Sequence, residues 1–375
     1  MRIGLLTEGE RPYASGESRL WCDRLVRGLS QHESGLYAPD RGTGREDTDR
    51  VPPRVRRART APAWTAPDGT RVGRTPGPRR HGRRDRHRFT GHFERLATAL
   101  CRTGPAGDAA FADGLYGLAE LAAERGGLGG ALRPEAAARV LEAACRAPGA
   151  HRSAHGATVP DPLALTDRLE RLLLPLSLDR YGADVLGAAD LCHAASGGAA
   201  ALPDLLAKRF FGTPLPVTEY GVRLRAHHPA AGGTALGTPA RSLLAAFHRR
   251  PAAEVYRQAA VVAPGTAHAR RRQERCGADR DKLRTVYPGT EAERFASVRE
   301  GSDPGDPRTL ARVGGVGPAK DLVGLPHAFA EVRRVEPGAR LRIIAAPVRD
   351  RRAAPCLAHC GALAATAAVS GGGCA

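Results

Sequence analysis

Apolar residues recur along this chain in two rhythms, short continuous runs and longer stretches with an apolar position every third or fourth residue. Their alternation predicts an α/β fold. Ile3 to Leu6 is an apolar run that ends at Thr7 and Glu8, and Leu20, Trp21, Leu25, Val26 and Leu29 follow at helical spacing. Strand, glycine-containing loop and helix are expected there. A second strand over Ser34 to Ala38 completes the βαβ opening of a doubly wound domain. Val185 to His193 has the run of a buried strand ending in a polar residue, and Ala199 to Phe211 that of a helix carrying Leu202, Leu205 and Leu206. Pro214 to Glu219, Arg257 to Ala263 and Leu283 to Tyr287 are the remaining strands expected in this domain.

Between the first and second halves of that pattern the rhythm changes. Residues 40–88 are dense in Pro, Gly and Arg with Trp64 as their one large apolar anchor, which predicts a disordered insertion that cannot offset its ordering entropy. A helical insertion is expected over 89–180, where Phe93, Leu96 and Leu100, then Leu115, Leu118 and Leu121, then Leu163, Leu169 and Leu172 keep helical spacing. After a Gly, Asp and Pro-rich linker at 301–308, strand, helix and strand are expected over Leu310 to Val316, Lys320 to Val335 and Leu341 to Ala345. The tail, 351–375, reads as an Ala and Gly-rich low-complexity segment with no further strand. The domain plan is therefore 1–300, then a partial second domain over 301–350, then the tail. Pro251 and Pro326 fall inside helical patterns, where a proline costs on the order of 3 kcal/mol, and they suggest a decayed copy.

Charge changes the picture only locally. The net charge is +18, yet Arg41 to Arg95 alone holds 16 arginines against 6 acids, a surplus of ten. Only Lys208, Lys282 and Lys320 represent lysine, and few aromatic residues interleave the basic run, so a nucleic-acid partner is not favoured. The amino-terminal apolar run is too short for a secretory signal, no segment is long and apolar enough to span a bilayer, and the eight cysteines form no Cys-x-x-Cys pair. A cytoplasmic protein with reduced thiols is expected. Cys356, His359 and Cys360 lack the further ligands that a metal site needs, so no metal is expected.

Several ordered segments carry a resemblance. They are MRIGLLTEG with PYASG, WCDRLVRGL, DLCHAASGG, LLAKRFFGTPLPVTEYGVRLR, CGADRDKLRTVYPGTEAERF and VGGVGPAKDLVGLPHAFAEV. In these the chain resembles retaining glycosyltransferase family four, in the subset of Pel-type exopolysaccharide glycosyltransferases, from Met1 to about Leu357 with a gap over 40–90. The resemblance implies a GT-B-like architecture of an acceptor-side Rossmann-like domain and a donor-binding second Rossmann-like domain, here incomplete. It implies a nucleotide sugar of the UDP-glucose type as co-substrate, no separate cofactor, a glycan acceptor, and membrane-associated polysaccharide-assembly partners.

Transfer from such a donor needs the doubly negative diphosphate stabilised as positive charge grows at the anomeric carbon. The resemblance assigns donor binding to the loop with Gly16 and Glu17 and to Gly314, Gly315 and Lys320. Glu17 stands where the family often has a second glycine, so its side chain would crowd the diphosphate. Gly315 stands where the family usually has an arginine, which removes half of a cationic clamp. His193 matches the family histidine near the donor sugar, able to hydrogen-bond the transferred sugar or to position the acceptor. Glu219 and Tyr220 match a segment that commonly reads Glu-His-Gly, and together with His193 they are the catalytic candidates; Tyr220 can donate a hydrogen bond but supplies no positive charge. The family's downstream glutamate pair, eight residues apart, has no counterpart before the last residue, so a truncated donor half and impaired transfer are expected. A non-catalytic saccharide- or protein-binding remnant is the alternative, and a basic nucleic-acid binder the third reading.

Overall fold

The computed structural model describes residues 1–7, 17–40, 55–62, 82–125, 128, 135–176, 186–219, 236–289, 292–296, 306–315, 321–345 and 353–366. β1 (Arg2–Leu6) leads into α1 (Glu17–Gly28), β2 (Glu33–Asp40) and β3 (Val55–Pro62). Five helices follow: α2 (Arg83–Cys101), α3 (Pro105–Arg125), α4 (Glu135–Arg146), the short α5 (Arg152–His155) and α6 (Pro160–Leu173). Alternation then returns with β4 (Leu191–Ala194), α7 (Leu202–Phe211), β5 (Pro216–Glu219), α8 (Thr238–Gln258), β6 (Val261–Pro264) and α9 (Ala267–Arg275). The six strands form one parallel sheet in the order β3-β2-β1-β4-β5-β6, the doubly wound order of Rossmann-like folds. The chain divides into two units, Met1–Gly289 with this sheet and Thr290–Ala375.

Period-two alternation assigns the two faces of the sheet. Ile3 and Leu5 pack with Cys22 and Val26 of α1 and with Leu36, whereas Leu6 joins Cys192, Ala194, Val217 and Val262 in the larger core on the other face. Gly4 points to that second face, where an added Cβ would come within 2.7 Å of Leu186. The larger core continues into the helices through Phe93, Leu96, Leu100, Leu115 and Leu118, all fully buried.

One buried arginine ties the helical region to the sheet. Arg250 of α8, whose side chain is wholly inaccessible, pairs with Asp108 in the first turn of α3. It also donates to the carbonyls of Ala99 (3.1 Å), Arg102 (2.6 Å) and Gly104 (3.3 Å). These carbonyls lie at and just beyond the end of α2, where a helix has no intrahelical donors left, so the guanidinium serves as a C-terminal cap. Gly107 leaves room for it: a Cβ there would fall 2.2 Å from the guanidinium.

The second unit is a βαβ arrangement in which β7 (Thr309–Gly314) and β8 (Arg340–Ala345) pair in parallel and α10 (Gly324–Val335) joins them. α11 (Ala353–Thr366) follows, with the buried Cys360 thiol donating to the Leu322 carbonyl at 3.4 Å. Leu310 and Val313 on β7 and Ile344 on β8 stay exposed.

Several expectations are corrected. The insertion over 40–88 contains β3, which pairs along β2 at the sheet margin, and α2 begins at Arg83. Composition missed this strand because an edge strand is held by backbone ladder bonds and accepts the charged residues of VRRARTAP. The expected tail contains α11, since Ala-rich sequence is good helix former. The strand expected from Val185 is confined to Leu191–Ala194, behind a short 3-10 turn at Leu186–Ala188, and the one expected from Arg257 starts at Val261 because α8 runs on to Gln258. Over Leu283 to Tyr287 the chain makes a single parallel bridge, Leu283 with Val262. Pro251 does lie inside α8, but Pro326 occupies the first turn of α10, where its missing N–H has no intrahelical acceptor to lose.

Arg250→Met is expected to lower stability by about 3 kcal/mol, because the Ala99 and Arg102 carbonyls and Asp108 lose a buried donor together. Arg249→Met, at a side chain that is 40% exposed and 4.0 Å from the same aspartate, should change it by less than about 0.5 kcal/mol. Urea unfolding of both variants checks the contrast.

Candidate active site

In doubly wound sheets ligands bind beyond the carboxyl ends of the strands, where strand order reverses. Here that switch point lies between β1 and β4, whose register pairs Ile3 with Leu191 and Leu5 with His193. Paired residues in a parallel sheet share a face, so His193 projects on the α1 side. Its ring meets Trp21 edge-to-face, with centroids 5.0 Å apart and planes at 87°. Its Nε2 shares a hydrogen bond of 2.8 Å with Thr218 Oγ1 on β5, the imidazole tautomer setting which atom donates. The ring is half-buried, and burial pulls its pKa down to about 4, so His193 is neutral near pH 7.

Glu219 follows Thr218 directly and therefore turns to the opposite face. It is buried and accepts a hydrogen bond from the hydroxyl of Tyr256, a fully buried residue of α8. The Tyr256 ring in turn supports the loop after β4, since a Cβ on Gly197 would lie 2.6 Å from it. In that loop Ser196 Oγ accepts from the Gly198 N–H at 3.0 Å. Beyond β6, the Gly265 N–H donates to the Glu219 carbonyl at 3.2 Å, and Thr266 caps α9 by accepting from the Ala269 N–H at 3.0 Å. The carboxyl edge is thus built from β1, β4, β5 and β6, with His193 and Glu219 on different faces.

Residues 1–281 match a family described as a domain of unknown function, DUF3492. The chain belongs to that family. No curated protein matches it. The DUF3492 segment covers all six strands of the sheet, together with His193, Glu219 and Tyr256, and stops before the second unit.

The other expected site residues have mixed placements. Gly16, Tyr220 and Lys320 lie outside the described residues, and Glu17 is the first residue of α1. Gly314 ends β7 with φ +152°, a backbone geometry that side chains rarely adopt, and Gly315 follows half-buried. Arg312 folds over this turn and donates to both carbonyls, at 2.9 Å to Gly314 and 2.8 Å to Gly315. Among the described residues no group of three or more His, Cys, Asp or Glu side chains is placed to hold a metal ion, and no helix is long and apolar enough to cross a membrane.

Sequence reading missed Trp21, Thr218, Tyr256 and Gly197. Trp21 reads as one more apolar residue on a helix face, and nothing local to Tyr256 signals a partner 37 residues earlier. The Ser196-Gly197-Gly198 run directly after an apolar strand was the one usable signal for the loop. Asp204 in the first turn of α7 is wholly buried near Cys192, and burial pushes its carboxyl well above the ordinary range.

These shifts act on stability with opposite signs. Between pH 6.5 and about 4 the unfolded chain binds a proton at His193 that the folded chain does not, so this contribution is lost as pH falls through that window. Asp204 keeps its proton when folded and releases it above about pH 3.8 when unfolded, so its contribution is lost as pH rises. His193→Gln removes only the first. The stability difference between parent and variant should move by up to about 3 kcal/mol between pH 7 and pH 4, with the parent losing more on acidification. Urea unfolding across the window measures it, and a pH-independent difference would mean that His193 titrates at its ordinary value.

Proposed function

We propose that this chain is a glycosyltransferase that takes a nucleotide diphosphate sugar, of the UDP-glucose type, as donor and a glycan as acceptor. The observation that carries the reading is a neutral imidazole, His193, held by Trp21 and Thr218 at the carboxyl edge beside the switch point. A neutral ring can donate or accept one hydrogen bond to a sugar hydroxyl without adding a full charge beside an anomeric carbon that is becoming positive. The resemblance to Pel-type glycosyltransferases supports the same assignment.

The second unit supports the reading through its βαβ pattern and the Gly314–Gly315 turn. Glycines there allow close backbone approach to a diphosphate, and Lys320 is the residue that the resemblance assigns to neutralise it. Glu219 takes a positioning role in this proposal. Buried and bonded to Tyr256, it fixes the end of β5, while His193 is the group that touches sugar. A binding remnant without turnover is the second reading, favoured by the turn of Glu219 away from the face that carries His193.

The test uses the full chain with UDP-glucose and other nucleotide sugars, following UDP release for turnover and saturation-transfer NMR for binding. His193→Ala is expected to lower turnover at least tenfold. Binding without UDP release in the parent selects the second reading, and a folded chain that neither binds nor turns over any nucleotide sugar would sink both.

A further inference from the structure

Cys101 is the last residue of α2, and Cys145 lies in the last turn of α4. Their sulfurs are 3.8 Å apart, in contact across the interface of the two helices, and both residues are 1% exposed. Both are free thiols. The residues that follow each cysteine open to solvent: Arg102, Thr103 and Gly104 after Cys101 and Arg146 after Cys145 are exposed. Helix ends fray before helix centres, so an opening of the last turn of α4, where Arg146 is exposed, admits a small oxidant to the pair.

We propose that Cys101 and Cys145 form an oxidation site that closes to a disulfide when the chain meets a hydroperoxide. Cys145 adjoins the exposed Arg146 that ends α4, whereas the end of α2 beyond Cys101 is held by Arg250, so Cys145 is the sulfur that a small oxidant reaches first and the attacking one. The Cys145 thiolate attacks one peroxide oxygen; an S–O bond forms, the O–O bond breaks, and the departing oxygen takes a proton and leaves as an alcohol or water. The Cys101 sulfur then attacks the sulfenic sulfur. An S–S bond forms, the S–O bond breaks, and hydroxide leaves with the Cys101 proton as water. Two thiols lose two electrons and the hydroperoxide gains them. The bond would fasten α2 to α4 next to the carbonyls of Ala99 and Arg102 that Arg250 holds, closing a loop between residues 44 apart in sequence. This inference is independent of the glycosyl-transfer reading.

The full chain, folded by circular dichroism, is treated with hydrogen peroxide, quenched, unfolded, alkylated and digested with trypsin. The expected product joins the peptides Leu96–Arg102 and Val140–Arg146, lighter than their sum by the two lost hydrogens. It reverts with reductant and is absent from Cys145→Ser. The oxidised chain should also unfold at a temperature higher by roughly 5 °C. Recovery of both cysteines alkylated, or of Cys101 joined to another cysteine, overturns the proposal. A linked peptide that forms only when peroxide is added in guanidinium overturns it as well, since the pairing would then owe nothing to the fold.

Discussion

The parallel register of β1 against β4 is the constraint on which the rest of this structure depends. It pairs Leu5 with His193, and because side chains alternate at every residue, that one pairing sends His193 to the α1 face and Cys192 and Ala194 into the larger core. A slip of one residue would put the imidazole into the apolar interior and the Cys192 thiol against Trp21. Ile3, Leu5 and Leu36 hold the register from the α1 side, and Gly4 permits Leu186 to close the other.

From this pairing follows a division of labour between adjacent residues of β5. Thr218 shares the face of His193 and fixes its ring, whereas Glu219 serves the opposite face, where Tyr256 and the Gly197 loop pack together. A parallel sheet thus separates by its full thickness two residues that are adjacent in sequence. The same geometry explains why a neutral imidazole and an ordered glycine loop share one edge without competing for the same partner.

The helical region is joined to this edge by α8. Its Arg250 caps α2 and pairs with α3, and six residues later, less than two turns on, Tyr256 reaches Glu219. Pro251 lies between them, buried, in a helix that keeps its continuity. The about 3 kcal/mol that an interior proline costs is borne here by the packing of α8. A proline taken from sequence as a mark of decay is therefore part of a helix that connects the two halves of the unit.

The sequence by itself determined the alternation of strands and helices. Continuous apolar runs such as Ile3 to Leu6 and the helical spacing of Phe93, Leu96 and Leu100 reflect local period and burial, which a chain carries in its own order. It also placed His193 at a strand end. What it did not contain was anything set by partners distant along the chain. β3 exists because β2 offers it a backbone ladder, α10 begins four residues after Lys320 and so gives Pro326 a harmless position, and α11, helical through its own alanines, is anchored by the contact of Cys360 with the Leu322 carbonyl. The face on which each candidate side chain emerges was decided by strand register, and the Trp21, Thr218 and Tyr256 contacts by which helix packs on which face. Such contacts arise only when segments separated by tens or hundreds of residues are brought together, and no local pattern encodes them.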